Sequence, residues 1–339
     1  MKTRIQWIDI AKGLGIILVI IGHSGAPDII RKYIYGFHMP LFFIISGYLY
    51  SPTPPHKNGG LKELIKKKFQ SYVVPYFVLC TINLVLNIFC ESLSIRGNEL
   101  WLSTAKHILG ILIGVSSNNL MPNCTPLWFL PCIFLSTLYL YFLLTIKKRP
   151  VQILICLCGL CIVSLLRYIN APQLPWHFDT AIIGSILMLI GHEIKYRKLL
   201  TDNKLLPLYV CVLFIVGIIF ISINTSIKKI DMNNNIYGDF AFMFCGSISI
   251  SYVFMWICSY IKECAFISFI GRGTIIVMGF NYFFNTVIRF IWLHIPNAPE
   301  ERCPWWLLSI AVTILCYCTI YIWNLLQKYI LNHMNPPHE

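Results

Sequence analysis

Asp9, Lys12 and His23 fall within one stretch, Arg4 to His23, that is otherwise apolar enough to cross a membrane. A charge near the centre of a membrane helix costs about 2.5–3.5 kcal/mol on insertion scales, so these side chains are expected to face protein or a wet cavity. At about 100° per residue, Asp9 to Lys12 is about 300°, Lys12 to His23 lies about 20° past three turns, and Asp9 to His23 falls about 40° short of four. All three therefore occupy one stripe. The helical rise separates Lys12 from His23 by about 16 Å, too far for both to hold one small group. The arrangement offers an acid–base pair low in a polar path and, farther in, an imidazole whose ordinary pKa of about 6.5 suits proton transfer near neutrality. A lone histidine in a span more often packs helices through a hydrogen bond; the shared stripe favours a chemical role.

The next apolar stretch reads Phe37-His38-Met-Pro-Leu-Phe-Phe-Ile-Ile-Ser46-Gly47. Pro40 donates no backbone hydrogen bond and is expected to bend the helix and expose polar backbone beside His38. Ser46-Gly47 permits a neighbouring helix to approach closely, and packing alone accounts for that pair equally well. A short hairpin, Ser24 to Lys32, would let His38 face the same cavity as His23.

The elements that must position these groups follow from composition. With 57% hydrophobic and 12% charged residues among 339, the chain is far more apolar than a soluble domain, for which about a quarter charged is usual. Windows of about twenty apolar residues predict ten spans, near 8–26, 33–50, 72–90, 127–146, 151–169, 179–195, 205–223, 239–261, 268–293 and 305–327. The expected fold is all-α, a multi-pass membrane protein forming one domain over 1–339, with both termini cytoplasmic. That orientation puts about 17 basic residues inside, Lys2, Arg4, Lys57 and Lys204 among them, against about 9 outside. The net charge of +13 is then explained by topology and anionic lipid head groups rather than nucleic acid. The fourteen cysteines have no zinc-like spacing and read as reduced packing residues, with no metal site expected. Asp9 and Lys12 interrupt the pattern of a cleaved signal peptide, so the first span is expected to be retained. The segment 100–118 mixes polar and apolar residues and is expected to be an external amphipathic or re-entrant helix. Ser51 to Gly60 is a turn-rich connector, followed by a basic amphipathic helix, Leu61 to Phe69, suited to a membrane surface.

The Asp9-x-x-Lys12-Gly start, the Lys12-x10-His23 spacing and Phe37-x-Met-Pro-Leu-Phe-Phe-x-x-Ser46-Gly47 closely resemble the membrane-bound acyltransferase-3 family, nearest its short stand-alone members similar to fucose 4-O-acetylase. Further echoes are Val74-Pro75-Tyr76, Pro126-Leu-Trp128-Phe129-Leu130, Phe178-Asp179-Thr180 and Gly271-Arg-Gly-Thr-Ile-Ile276, so the likeness runs through nearly the whole chain. The resemblance implies an enzyme of the cell (inner) membrane that moves an acyl group, usually acetyl from acetyl-CoA, to a hydroxyl of a sugar or polysaccharide, free or lipid-linked. Lys at position 12 replaces the commoner Arg, and Asn281 stands where many relatives carry His.

Transfer from a thioester to an alcohol needs a base for the hydroxyl proton and a donor for the developing oxyanion. His23 is the expected base. Lys12 is placed at the CoA phosphates or pantetheine and Asp9 is expected to hold it, although a structural ion pair explains the two as well. Arg272, flanked by glycines, is a second candidate for CoA phosphate, with a positive-inside anchor as its plainer reading. His38, Ser46, Trp128 and Asp179 are the candidate acceptor contacts, while interfacial anchoring accounts equally for Trp128, Trp101 and Trp176. A competing class is a transporter or channel for a small polar solute, since buried charges and a Pro-broken helix also mark solute paths.

Overall fold

The computed structural model describes residues 5–51, 60–93, 95–200, 206–295 and 302–334. The 51–60 connector, apart from its two ends, and Lys2, Arg4, Lys57 and Lys204 of the charge argument lie outside them. The described residues form thirteen α-helices: α1 (Gln6–His23), α2 (Asp28–Leu49), α3 (Gly60–Lys68), α4 (Val74–Ser92), α5 (Asn98–Ile113), α6 (Phe129–Thr145), α7 (Arg149–Tyr168), α8 (Phe178–Tyr196), α9 (Leu206–Ile227), α10 (Phe240–Tyr260), α11 (Ala265–Arg272), α12 (Thr274–Leu293) and α13 (Trp305–Met334). Their extended pairing is limited to one bridge, Asp231 to Ile236.

Among the described residues, eight helical segments are long and apolar enough to cross a membrane, namely α1, the continuous 60–92 run, α6 with its lead-in, α7, α9, α10, α12 and α13. The fold is that of an all-α multi-pass membrane protein. The other two expected spans, near 33–50 and 179–195, are the helices α2 and α8, which are more polar than the rest. They can be so because they are shielded by protein rather than lipid. Residues 36–45 of α2 are all buried, and α8 packs along it, with α1, α6 and α10 around the pair. On α7, by contrast, only Gln152, Gly159 and Val163 are buried, and its apolar side chains face outward.

Two boundaries differ from the sequence expectation, and a third segment keeps to it. The span expected over 268–293 divides at Gly273 into α11 and α12. A π-helical turn, Phe69–Val73, joins α3 to α4 so that the basic amphipathic helix runs directly into a span; Leu64 is the buried residue of α3. The ambiguous 100–118 segment is α5, too short to count among the spans, and it buries His107, Gly110 and Ile111.

Two reciprocal glycine contacts set how closely the central helices approach. A Cβ on Gly47 would lie 1.9 Å from the Met188 carbonyl oxygen, and one on Gly191 would lie 1.9 Å from that of Ile44, so α2 and α8 cross backbone to backbone. The same device joins α1 to α11, where a Cβ on Gly13 would lie 2.1 Å from the Ile267 oxygen and one on Gly271 would lie 1.8 Å from the Asp9 oxygen. Close contact of this kind gains dispersion energy where lipid supplies no hydrophobic drive between helices. Gly47→Val should therefore force α2 and α8 apart, at a cost of about 1–3 kcal/mol or more. Heating the detergent-solubilised protein and following monodispersity should show a lowered midpoint for Gly47→Val and little change for Ser46→Ala; equal midpoints would contradict the contact.

Candidate active site

A four-residue turn closes α1 onto α2. Ser24 Oγ donates to the Ile20 carbonyl at 2.8 Å, Gly25 adopts φ +84°, which a side chain would disfavour, and Pro27 precedes α2. His23, the last residue of α1, is thereby folded against α2. Its Nδ1 lies 3.4 Å from the Tyr35 hydroxyl, and its ring meets Tyr282 of α12 edge-on with centroids 5.4 Å apart. Tyr35 in turn packs edge-on against His38 at 5.1 Å.

The tautomer of His38 follows from its partner. Nδ1 lies 2.7 Å from the Ile34 carbonyl oxygen, which can only accept, so Nδ1–H donates and Nε2 keeps its lone pair. Among the described residues nothing donates to that Nε2. Helix α2 runs through Pro40 without interruption, and it is the His38 side chain itself that takes up a turn carbonyl.

His23, Tyr35, His38 and Tyr282 line a cavity of about 190 Å³, with Val19, Met39, Trp128 and Met278 among its other walls. Its roof is residues 231–234, from the connection between α9 and α10. The volume is below the roughly 300–1,000 Å³ of whole-ligand pockets, so it can enclose the reacting ends of two substrates but not either substrate entire.

The roof is pinned from below. Asp179, buried at the start of α8, accepts from Asn235 Nδ2 at 2.7 Å and from the Thr180 backbone N–H at 2.9 Å, and the Arg167 guanidinium lies 3.9 Å away. Thr180 Oγ1 and the Tyr237 hydroxyl both donate to Asn235 Oδ1, at 2.6 and 2.9 Å. From the side, Ser116 Oγ donates to Asn233 Oδ1 at 2.9 Å and Gln173 Nε2 donates to the Asn233 carbonyl. Lys229 sits over the Tyr35 ring, 4.8 Å from its centroid.

Of the residues singled out in the sequence, His23, His38 and Trp128 share this cavity. Trp128 is also packed against His177, with ring centroids 4.7 Å apart; burial pushes that imidazole down to about 4, so it is neutral at physiological pH. Asp179 is not among the walls and acts on the roof through Asn235. Ser46 is half-buried beside Gly47 and also lies outside the cavity. Asp9 is buried under α11 and Lys12 is half-buried; neither lines the cavity, as their separation from His23 along α1 requires. Arg272 is exposed at the end of α11, its guanidinium 5.6 Å from the Phe269 ring, and it borders a different cleft. Asn281 is fully buried and donates to the Val277 carbonyl at 2.7 Å, while its neighbour Tyr282 faces the imidazoles.

Sequence reasoning missed Tyr35, Tyr282 and the roof. Tyr35 stands three residues before His38, a spacing that puts both on one helix face and offered a signal. The roof offered none, since a polar connection between spans looks the same whether or not it folds inward.

The pinning is testable by hydrogen exchange. Asp179→Ala removes a buried charged acceptor whose hydrogen bonds are worth about 1.5–3 kcal/mol each, so the Asn234 and Ile236 amides should exchange at least about tenfold faster. Unchanged protection of those amides would show that the roof is held otherwise.

The family model described as "Acyltransferase domain", that of the acyltransferase-3 family, matches residues 5–323. No curated protein and no solved structure matches the chain. With a match that takes in every helix forming the cavity, this chain belongs to the acyltransferase-3 family and is a membrane acyltransferase.

Proposed function

We propose that the protein is an O-acetyltransferase of the cell inner membrane, moving acetyl from acetyl-CoA to a hydroxyl of a cell-surface glycan or its lipid-linked precursor. The likeness to fucose 4-O-acetylases belongs to this proposal. The observation that carries it is the convergence of two imidazoles and two tyrosines, His23, His38, Tyr35 and Tyr282, in one small cavity of an otherwise apolar bundle. Family membership makes the chain an acyltransferase, and that decides against the transporter reading.

In this reading His23 takes the proton from the acceptor hydroxyl as its oxygen bonds to the thioester carbonyl carbon. The tetrahedral adduct collapses with cleavage of the C–S bond, and the departing CoA thiolate recovers the proton. Phenolic O–H groups at Tyr35 and Tyr282 would donate to the oxyanion. Trp128 offers a flat apolar wall to a sugar ring. Lys12, at the other end of α1, attracts the anionic donor toward the cytoplasmic side.

One observation favours exchanging the two imidazoles. His38 has its tautomer fixed with Nε2 as an acceptor, as a base requires, whereas the 3.4 Å contact of His23 with Tyr35 allows either atom to donate. Were the tyrosine hydroxyl the donor, His23 Nε2–H would face the oxyanion instead.

Membranes or purified protein supplied with labelled acetyl-CoA and candidate glycan acceptors should transfer label to the glycan. Loss of the general base costs about 10²- to 10⁴-fold in kcat. His23→Ala is expected to show that loss at unchanged protein level. A fall of less than tenfold for His23→Ala, beside a larger one for His38→Ala, would assign the base to His38. Absence of transfer by the unaltered protein to every acceptor would contradict the proposal.

A further inference from the structure

A second cavity, about 360 Å³, opens where α4, α12 and α13 meet, and its size falls within the range of pockets that enclose a whole ligand. Its walls carry Arg272, Trp323, Asn324 and Gln327, together with Leu79 of α4. Gly271 packs on the Asp9 backbone oxygen, so this cleft lies at the same end of the bundle as Asp9 and Lys12, and at the opposite end from His23. Helix α12 joins the two cavities: Arg272 precedes it, Tyr282 lines the upper one, and the ten residue steps from one to the other span about 15 Å.

Helices α4 and α12 pack closely beside the cleft. A Cβ on Gly279 would lie 3.1 Å from both Leu79 methyl carbons, so Leu79 fills the space that the glycine leaves. One turn farther along α4, the fully buried Asn83 donates from Nδ2 to the Leu79 and Gly279 carbonyls at 2.9 Å each. Its Oδ1 is also buried and has no hydrogen-bond partner among the described residues. Such an orphaned acceptor is uncommon inside a folded protein and calls for a donor.

We propose that the cleft at α4, α12 and α13 is the acyl-CoA site, and that the donor's pantetheine arm passes between α4 and α12 where Leu79 now meets Gly279. The match is one of chemical kind. Arg272 at the mouth suits phosphate, Trp323 offers an aromatic face to a purine, and Asn324 and Gln327 are hydrogen-bonding side chains for hydroxyls and amides. The pantetheine arm carries two amide N–H groups between phosphate and sulfur, and one of them supplies the donor that Asn83 Oδ1 lacks. Rotation of the Leu79 side chain away from Gly279 joins the cleft to the cavity of His23. The inference rests on the acetyl-CoA reading above and adds the place and route of the donor.

The test uses the full-length protein in detergent with coenzyme A itself as probe. Asn324 is exposed, so an Asn324→Cys variant can be labelled with a maleimide and the modification at that position followed by mass spectrometry. Coenzyme A should slow labelling at least fivefold, and that protection should be lost when Arg272→Gln is added. In transfer assays, Asn83→Leu and Gly279→Ala should raise the KM for acetyl-CoA at least fivefold and leave the KM for the acceptor within twofold. Labelling at position 324 indifferent to coenzyme A, or slowed only by added phospholipid, would overturn the site whatever the turnover. Protection by coenzyme A in a protein that transfers no acetyl would sustain the cleft and count against the transfer reading instead.

Discussion

A carboxylate buried beneath a polar connection holds this site together. Asp179, at the first turn of α8, accepts from Asn235, which also gathers the hydroxyls of Thr180 and Tyr237, and so the α9–α10 connection is drawn down over the imidazoles. Taking a carboxylate out of water is costly unless it is hydrogen-bonded and faced by charge. Here the Thr180 amide, the Asn235 amide and Arg167 supply those partners, and the connection has a preferred place. Residues 231–234 of that connection line the cavity that also holds His23 and His38. With the connection in place, the cavity is small, about 190 Å³.

The same economy of polarity governs the whole bundle. Helices α2 and α8 are the least apolar of the ten that the sequence marks as spans, and they lie at the centre, touching through Gly47 and Gly191. Peripheral α7, α9 and α13 display exposed apolar side chains along their length. Asp9, His38 and Asp179 are buried on surfaces that other helices cover, as the cost of exposing them to hydrocarbon demands. Two cavities lie toward opposite ends of α12, one lined by Tyr282 and the other by Arg272 and Gly273.

Much of this was legible in the sequence, for identifiable reasons. Span positions followed from runs of apolar residues, and the Lys12-x10-His23 stripe followed from helical periodicity. The Ser46-Gly47 pair correctly marked a close helix crossing. What was not legible depends on contacts between distant segments. Asp179 read as an acceptor contact because it opens a span at the expected outer face, yet its oxygens are taken by Asn235 and Thr180, fifty-six residues away in one case and next door in the other. Tyr282 was overlooked in favour of Asn281, which a single helical step turns toward its own backbone. Gly273 breaks a run whose hydropathy is continuous, and hydropathy alone does not register that break. Pro40 was expected to open polar backbone, whereas α2 runs on through it and the polar group that matters is the His38 side chain bonded to Ile34.

The central claim is that acyl transfer occurs between His23 and His38 beneath the 231–234 roof. The most direct measurement is a structure of the protein bound to a non-hydrolysable thioether analogue of acetyl-CoA. The account predicts the analogue's carbonyl within hydrogen-bonding distance of Tyr35, Tyr282 or one of the two imidazoles. Density for that carbonyl elsewhere in the bundle, with the cavity of His23 unchanged, would contradict it.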